Sequence, residues 1–231
     1  MVALFVAFMF VSLVLVDLGM EKWKLWRTAQ AALARRRAVA MTAAGLGEFC
    51  QLPEGVHLTS QHTWIKADPA AGLQIGADAL IARAVGAVQR IILPRVGDQV
   101  TSGQPLFRLE RNGCVVTIPA TLTGQVMGVN DHLIDHPELL GSDPYGKGWV
   151  CQVIPTRGTQ SDSRTLRFGE PAVMWLEREA ARFAEFIFGQ MAPDLALGTT
   201  NLDGGIPAPG CLGELGPKAW SAFEASFLQP S

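Results

Sequence analysis

Residues 105 to 124 read PLFRLERNGCVVTIPATLTG, and this stretch decides the fold. Two apolar-rich runs, Pro105 to Glu110 and Val115 to Ile118, flank the dipeptide Asn112-Gly113. Asn-Gly between strand-like runs predicts a tight hairpin, because both residues tolerate the positive φ angles such a turn needs. Gly124 then punctuates the next strand, Gln125 to Val129. The tip of this hairpin carries Arg111, Asn112, Gly113 and Cys114, and no primary amine.

Outward from the hairpin, residues 48–156 keep one character. Runs of four to seven residues rich in Val, Ile, Leu and Thr alternate with Gly, Pro, Asn and Asp. That pattern predicts a small all-β barrel or sandwich. Strands are expected near 56–59, 62–66, 73–76, 88–93, 99–101, 105–110, 115–118, 125–129 and 149–154. A short helix is expected over Ala77 to Ala84, with turns at Pro94 to Asp98 and Asp143 to Gly148.

Five motifs in this region carry a resemblance. His62-Thr63-Trp64-Ile65-Lys66 is similar to the His-x-Trp-x-Lys strand of the glycine cleavage system H protein family. Gly76 to Ala84 stands where that family has a short helix, and Leu93-Pro94-Arg95-Val96-Gly97-Asp98 resembles its L-P-x-V-G-D turn. His136-Pro137-Glu138-Leu139-Leu140 resembles N-P-E-L-V, and Asp143-Pro144-Tyr145-Gly146-Lys147-Gly148-Trp149 resembles D-P-Y-G-x-G-W. The resemblance implies a mainly β, lipoyl-type barrel–sandwich hybrid with short helices around it.

The family's function sits on one hairpin lysine, which carries lipoic acid through an amide. Placing Glu110 on the family's glutamate and Gly124 on its glycine leaves 13 residues between them, as in the family. The lysine position then falls on Gly113. The chain's lysines are Lys22, Lys24, Lys66, Lys147 and Lys218, none on the hairpin. The resemblance therefore implies a relative without the lipoyl cofactor. Cys114 is the alternative attachment point, since a thiolate beside Arg111 is a good nucleophile. The plainer reading makes Cys114 an inward-facing strand residue, on the same face as Val116.

Other chemistry is sparse. Cys50, Cys114, Cys151 and Cys211 form no C-x-x-C pair and read as small buried hydrophobes. His132 and His136 stand four apart, but Pro137 and the lack of a third ligand argue against a metal. Phosphate loops, dinucleotide fingerprints and haem or iron–sulfur spacings are absent from the sequence.

The amino-terminal run Val2 to Met20 is interrupted only by Ser12 and Asp17. About 20 apolar residues cross a bilayer core of roughly 30 Å. The six basic residues of 21–37 face Glu21 alone, a net of +5, whereas residues 48–231 carry −6. A basic collar after an apolar run predicts an uncleaved transmembrane helix with the large domain cytoplasmic. It points to membrane lipid and not to nucleic acid. Asp17 either reaches the headgroup region or contacts another membrane subunit. The chain thus divides into an anchor at 1–20, a juxtamembrane helix at 21–47, the β domain at 48–156, a linker and packing helix at 157–190, and a Gly/Pro-rich tail with a short terminal helix at 191–231.

In the packing helix, Val173, Leu176, Ala180, Phe183 and Ile187 make one apolar face. Trp175, Phe186 and Phe188 exceed what one face requires and are candidates for a partner, the membrane surface or extra core. In the last helix, Pro217 to Leu228, Trp220, Phe223 and Phe227 form a stripe. Such a stripe suits a helix-in-groove ligand for a partner, or folds back on the parent domain. Together these features predict a non-enzymatic, membrane-anchored accessory subunit docking partners of a membrane complex, such as a respiratory one. The alternative is a membrane-tethered acyl or lipoyl-type carrier modified at Cys114, or a regulator that mimics the true carrier.

Overall fold

The computed structural model describes residues 51–70, 72–156, 166–190, 207 and 209–229. The expected anchor at 1–20 with Asp17, the juxtamembrane helix at 21–47, most of the linker after 156 and the tail from 191 to 206 lie outside the described residues. No helix among the described residues is long and apolar enough to cross a membrane.

Among the described residues, nine strands form two antiparallel sheets. The first holds β1 (Val56–Leu58), β2 (Thr63–Asp68), β3 (Gly72–Ala77), β5 (Gln99–Val100), β8 (Gly124–Val129) and β9 (Trp149–Pro155), in the order β1-β2-β3-β9-β8-β5. The second holds β4 (Arg90–Ile92), β6 (Pro105–Arg111) and β7 (Cys114–Pro119), in that order. Every strand expected from the sequence is present. The inward faces of both sheets share one core with Trp64, Ile75, Leu109, Val116, Ile118, Val126 and Val153. Period-2 alternation accounts for this: Leu109 and Val116 are buried while Arg108 and Val115 are exposed. Leu106 and Phe107 break the alternation and are both buried, because the register shifts between Pro105 and Phe107.

Helix α1 (Ala79–Val85) starts two residues later than the sequence predicts. Ala77 completes β3, and Asp78 caps the helix by accepting from Leu80 N at 3.0 Å and Ile81 N at 3.1 Å. Two four-residue turns of helix follow, α2 (His132–Asp135) and α3 (Leu139–Ser142). The motif residues after them shape the backbone. Asp143 Oδ2 accepts from Lys147 N at 2.9 Å, Trp64 Nε1 donates to Pro144 O at 2.9 Å, and Tyr145 Oη accepts from Ala79 N at 3.2 Å.

The long helix α4 (Gly169–Gln190) is tied to the first sheet at its start. Leu58 and Arg167 exchange backbone hydrogen bonds of 2.7 and 2.9 Å. Its buried stripe is Ala172, Trp175, Leu176, Ala180, Phe183 and Ile187, rotated slightly from the expected face, so that Val173 is only half-buried. Pro217 to Leu228 is α5 (Pro217–Phe223) followed by a π-helical turn (Glu224–Leu228), in place of one continuous helix.

The residues expected to face a partner are corrected here. Trp175, Trp220, Phe223 and Phe227 are all buried within the chain. Trp175 stacks on His62 at 4.9 Å, and Trp220 Nε1 donates to Leu212 O at 2.8 Å. Phe223 and Phe227 stack at 5.0 Å and meet Phe183 edge-on at 5.6 and 6.0 Å. The reason is a complementary stripe on α4, which offers Phe183 and Phe186 to the same rings. Of the two outcomes the stripe allowed, fold-back is the one observed. Phe188 remains 48% exposed.

Candidate functional site

The β6–β7 hairpin closes on Asn112 and Gly113, with φ of 52° and 75°. Both values fall in the left-handed region that a two-residue turn of this kind requires, which is why the sequence supplies Asn-Gly. Arg111 and Cys114 face each other as the last pair before the turn. Gln89, just before β4, fixes the tip. Asn112 N donates to Gln89 Oε1 at 2.8 Å, and Gln89 Nε2 donates to Asn112 Oδ1 at 3.2 Å. One pair back, Arg90 Nε and Nη2 reach Glu110 Oε2 at 2.8 and 2.5 Å on the exposed side.

Arg111 turns inward from the tip. Its Nη1 donates to Val85 O at 2.5 Å, at the end of α1, and to Gly210 O at 3.2 Å; its Nη2 stands 3.8 Å from Glu214 Oε1. Three glycines make room for this guanidinium. A Cβ on Gly86 would meet Arg111 Nη1 at 2.6 Å, one on Gly210 would overlap the same atom, and one on Gly213 would meet Arg111 Cζ at 2.8 Å. The segment around Cys211–Glu214, a 3₁₀ turn, is therefore shaped to the base of the hairpin. It is joined also to α1: Gly210 N donates to Arg83 O at 2.7 Å, and Arg83 Nε donates to Pro207 O at 3.2 Å.

Gly113 faces open space, with nothing within 4 Å of a Cβ placed there. Cys114 is half-buried against the core, on the face of Val116, as the strand reading requires. Arg111, the expected activator of the Cys114 thiol, gives its Nη1 to the carbonyl oxygens of Val85 and Gly210. An amide-linked lipoyl arm needs a primary amine at the tip. The tip offers only backbone at Gly113, a Gln89-bound amide at Asn112, the Arg111 guanidinium and the Cys114 thiol. Lys66 lies on β2, Lys147 in the turn before β9 and Lys218 on α5. These residues do not fit the group.

A second cluster was missed in the sequence. His62 and Asp78 are both fully buried, with Nδ1 2.7 Å from Oδ2, and His62 Nε2 lies 3.4 Å from Glu179 Oε2 on α4. Nε2 makes no aligned hydrogen bond there. Burial by itself pushes the His62 imidazole down; the carboxylates of Asp78 and then Glu179 outweigh it and raise it to about 9. Glu179 is held below the ordinary carboxylate range: burial pushes it up, but His62, then Arg182 and Arg167, pull it lower. Asp78 went unread as a helix cap because the expected helix began at Ala77, and no local pattern pairs Glu179 with a residue so distant in sequence. His132 and His136 do not converge. His136 Nδ1 pairs with Glu138 Oε1 at 3.0 Å on the surface, and among the described residues no group of three or more His, Cys, Asp and Glu could hold a metal. A groove of about 840 Å³ runs beside α1, lined by Leu52, Pro53, Ala82, Arg83, Tyr145 and Pro209 among others.

The sequence profile of the glycine cleavage H-protein family matches residues 56–176. A glycine cleavage system H protein of Shewanella sp. (strain W3-18-1) is 32% identical over 123 residues, spanning 53% of this chain and 95% of that protein. One from Listeria welshimeri is 36% identical over 102 residues, spanning 44% of this chain and 81% of its own length. The crystal structure of a glycine cleavage system H protein from Mycobacterium marinum is 31% identical, covers 46% of this chain and 87% of that one, and superposes with a TM-score of 0.42.

Proposed function

The chain belongs to the glycine cleavage H-protein family, and from that premise we propose that it is a member in which the carrier hairpin has become part of a docking scaffold. It is a non-enzymatic accessory subunit, anchored in a membrane by residues 1–20, with the H-protein-like domain on the cytoplasmic side, holding partners of a membrane complex. One observation carries the reading: the tip that relatives resemble presents Gly113 in a tight left-handed turn, with no amine to acylate. The anchor is supported by the apolar run and the basic collar that follows it.

Intact-mass measurement of the protein purified in detergent tests both halves. The expected result is an unmodified chain travelling with other subunits. A lipoyl adduct, or a monodisperse monomer without partners, would overturn the proposal. The carrier alternative rests on the half-buried Cys114 beside the tip. An adduct lost on Cys114→Ala would establish it instead.

A further inference from the structure

Beyond residue 176, where the family match ends, the chain adds a layer of its own. Its floor is the second half of α4, with Phe183 and Phe186. Its flank is the outer edge of β7, the last strand of its sheet. In an antiparallel hairpin closed by the Arg111–Cys114 pair, alternate residues bond inward, so Val115 and Thr117 turn their backbone groups outward. An uncovered edge of this kind is a template for pairing with another chain.

Residues 209–228 cover it. Glu224 Oε1 accepts from Thr117 N. Phe223 and Phe227 enter the aromatic floor. Arg182 donates from Nη2 to Ser226 O at 2.7 Å and lies 4.1 Å from the Phe227 ring centre. The covering segment is short. α5 has seven residues, too few to persist as a helix alone, so its order comes from the face beneath it. Residues 191–206 separate it from α4 in the sequence.

Resting on the docking reading above, we infer that residues 209–228 are a displaceable plug, and that the face beneath takes a partner helix of the same chemistry. That helix carries two aromatic anchors four residues apart and a carboxylate directly after the first. The aromatic pair matches Phe183 and Phe186, and the carboxylate matches the outward N–H of Thr117. The flanking cations Arg182 and Arg111 favour carbonyl-rich or acidic ends.

The test uses the full chain in detergent, with a protease site inserted between Gly198 and Thr199. The probe is a fluorescent synthetic peptide of residues 207–231. After cleavage the peptide is expected to exchange onto the protein. The uncleaved chain should exclude it, because a tethered copy acts at an effective concentration on the order of mM. A peptide carrying Phe223→Ala and Phe227→Ala should bind roughly 30-fold more weakly or worse. In the purified complex, excess peptide should release the co-purifying partner. Failure of the peptide to exchange, or loss of cooperative unfolding on cleavage, makes the segment a fixed part of the core and overturns the plug. A partner that stays bound while the peptide fills the face sits elsewhere, and overturns the assignment of the face. Exchange without any co-purifying partner defeats the docking reading and leaves the plug standing.

Discussion

His62 Nδ1 lies 2.7 Å from Asp78 Oδ2, with neither side chain reaching solvent. This pair joins three elements: the turn before β2, the N-terminus of α1 and, through Glu179, the middle of α4. Burying charge is costly unless it is compensated, and here a carboxylate oxygen lies 2.7 Å from Nδ1 and another 3.4 Å from Nε2. The His62–Asp78 contact also explains why a histidine accepts a φ of 58° at this turn, since the geometry aims the ring into the helix cap.

A pH dependence of stability follows. The His62 imidazole rises from 6.5 to about 9 on folding, so the folded state holds its proton more tightly. That contribution is complete below about pH 6.5 and fades as pH climbs through about 9. Its full size is about 3 kcal/mol at 1.36 kcal/mol per pH step. Urea unfolding between pH 6 and 9.5 should show the decline, and His62→Gln should flatten it. An unchanged slope in the variant would mean that other groups set the profile.

Asp78 performs two tasks that substitutions can separate. Asp78→Ala removes the helix cap and leaves His62 facing Glu179 alone, with an expected loss of about 3–5 kcal/mol. Asp78→Asn retains an acceptor for Leu80 N and Ile81 N and loses only the charge. It should cost less, and lower the imidazole pKa toward its ordinary value. NMR titration of His62 in the two proteins distinguishes the roles. Equal losses of stability would show that the charge, and not the cap, dominates.

Arg111 links the hairpin to the carboxyl-terminal segment. Arg111→Ala strips hydrogen bonds from Val85 O and Gly210 O, and charge-assisted bonds of this kind are worth about 1.5–3 kcal/mol. Hydrogen exchange over residues 209–228 should accelerate, while exchange in β9 should hold. Gly210→Ala should give the same pattern by a different route, since its Cβ would displace the guanidinium. Uniform acceleration across both sheets would instead place Arg111 in the global core.

The strands and turns were legible because their signals are local. Asn112-Gly113 dictates a two-residue turn, and alternation along β6 and β7 dictates which residues point inward. The carboxyl-terminal layer was only half legible. Trp220, Phe223 and Phe227 announced a buried stripe, but a stripe does not name its cover, and the cover lies on α4 about 40 residues earlier. The contacts of Glu179 and Arg111 were hidden for the same reason. Their partners, His62, Val85 O and Gly210 O, are distant in sequence, and no periodicity encodes a contact of that range. The 3₁₀ turn at Cys211–Glu214 sat inside a Gly/Pro-rich run that composition alone reads as irregular.

The vacancy at the hairpin tip can be filled by design. Gly113→Lys places a side chain where nothing lies within 4 Å, so sterics with the rest of the chain do not oppose it. The φ of 75° does, at about 1–2 kcal/mol for a residue with a Cβ. Gln89 still holds Asn112 and keeps the turn closed. The variant should therefore fold with a small loss of stability and display an amine at the tip. If Gly113 occupies the carrier position, expression in lipoylating cells should yield a lipoyl adduct on the variant and none on the parent chain. An adduct on neither protein would separate two causes when the isolated amine is probed with an acylating reagent. A reactive lysine without lipoyl transfer would mean that features beyond the amine, such as the Arg90–Glu110 pair flanking the tip, have also diverged from what the transferring enzyme recognises.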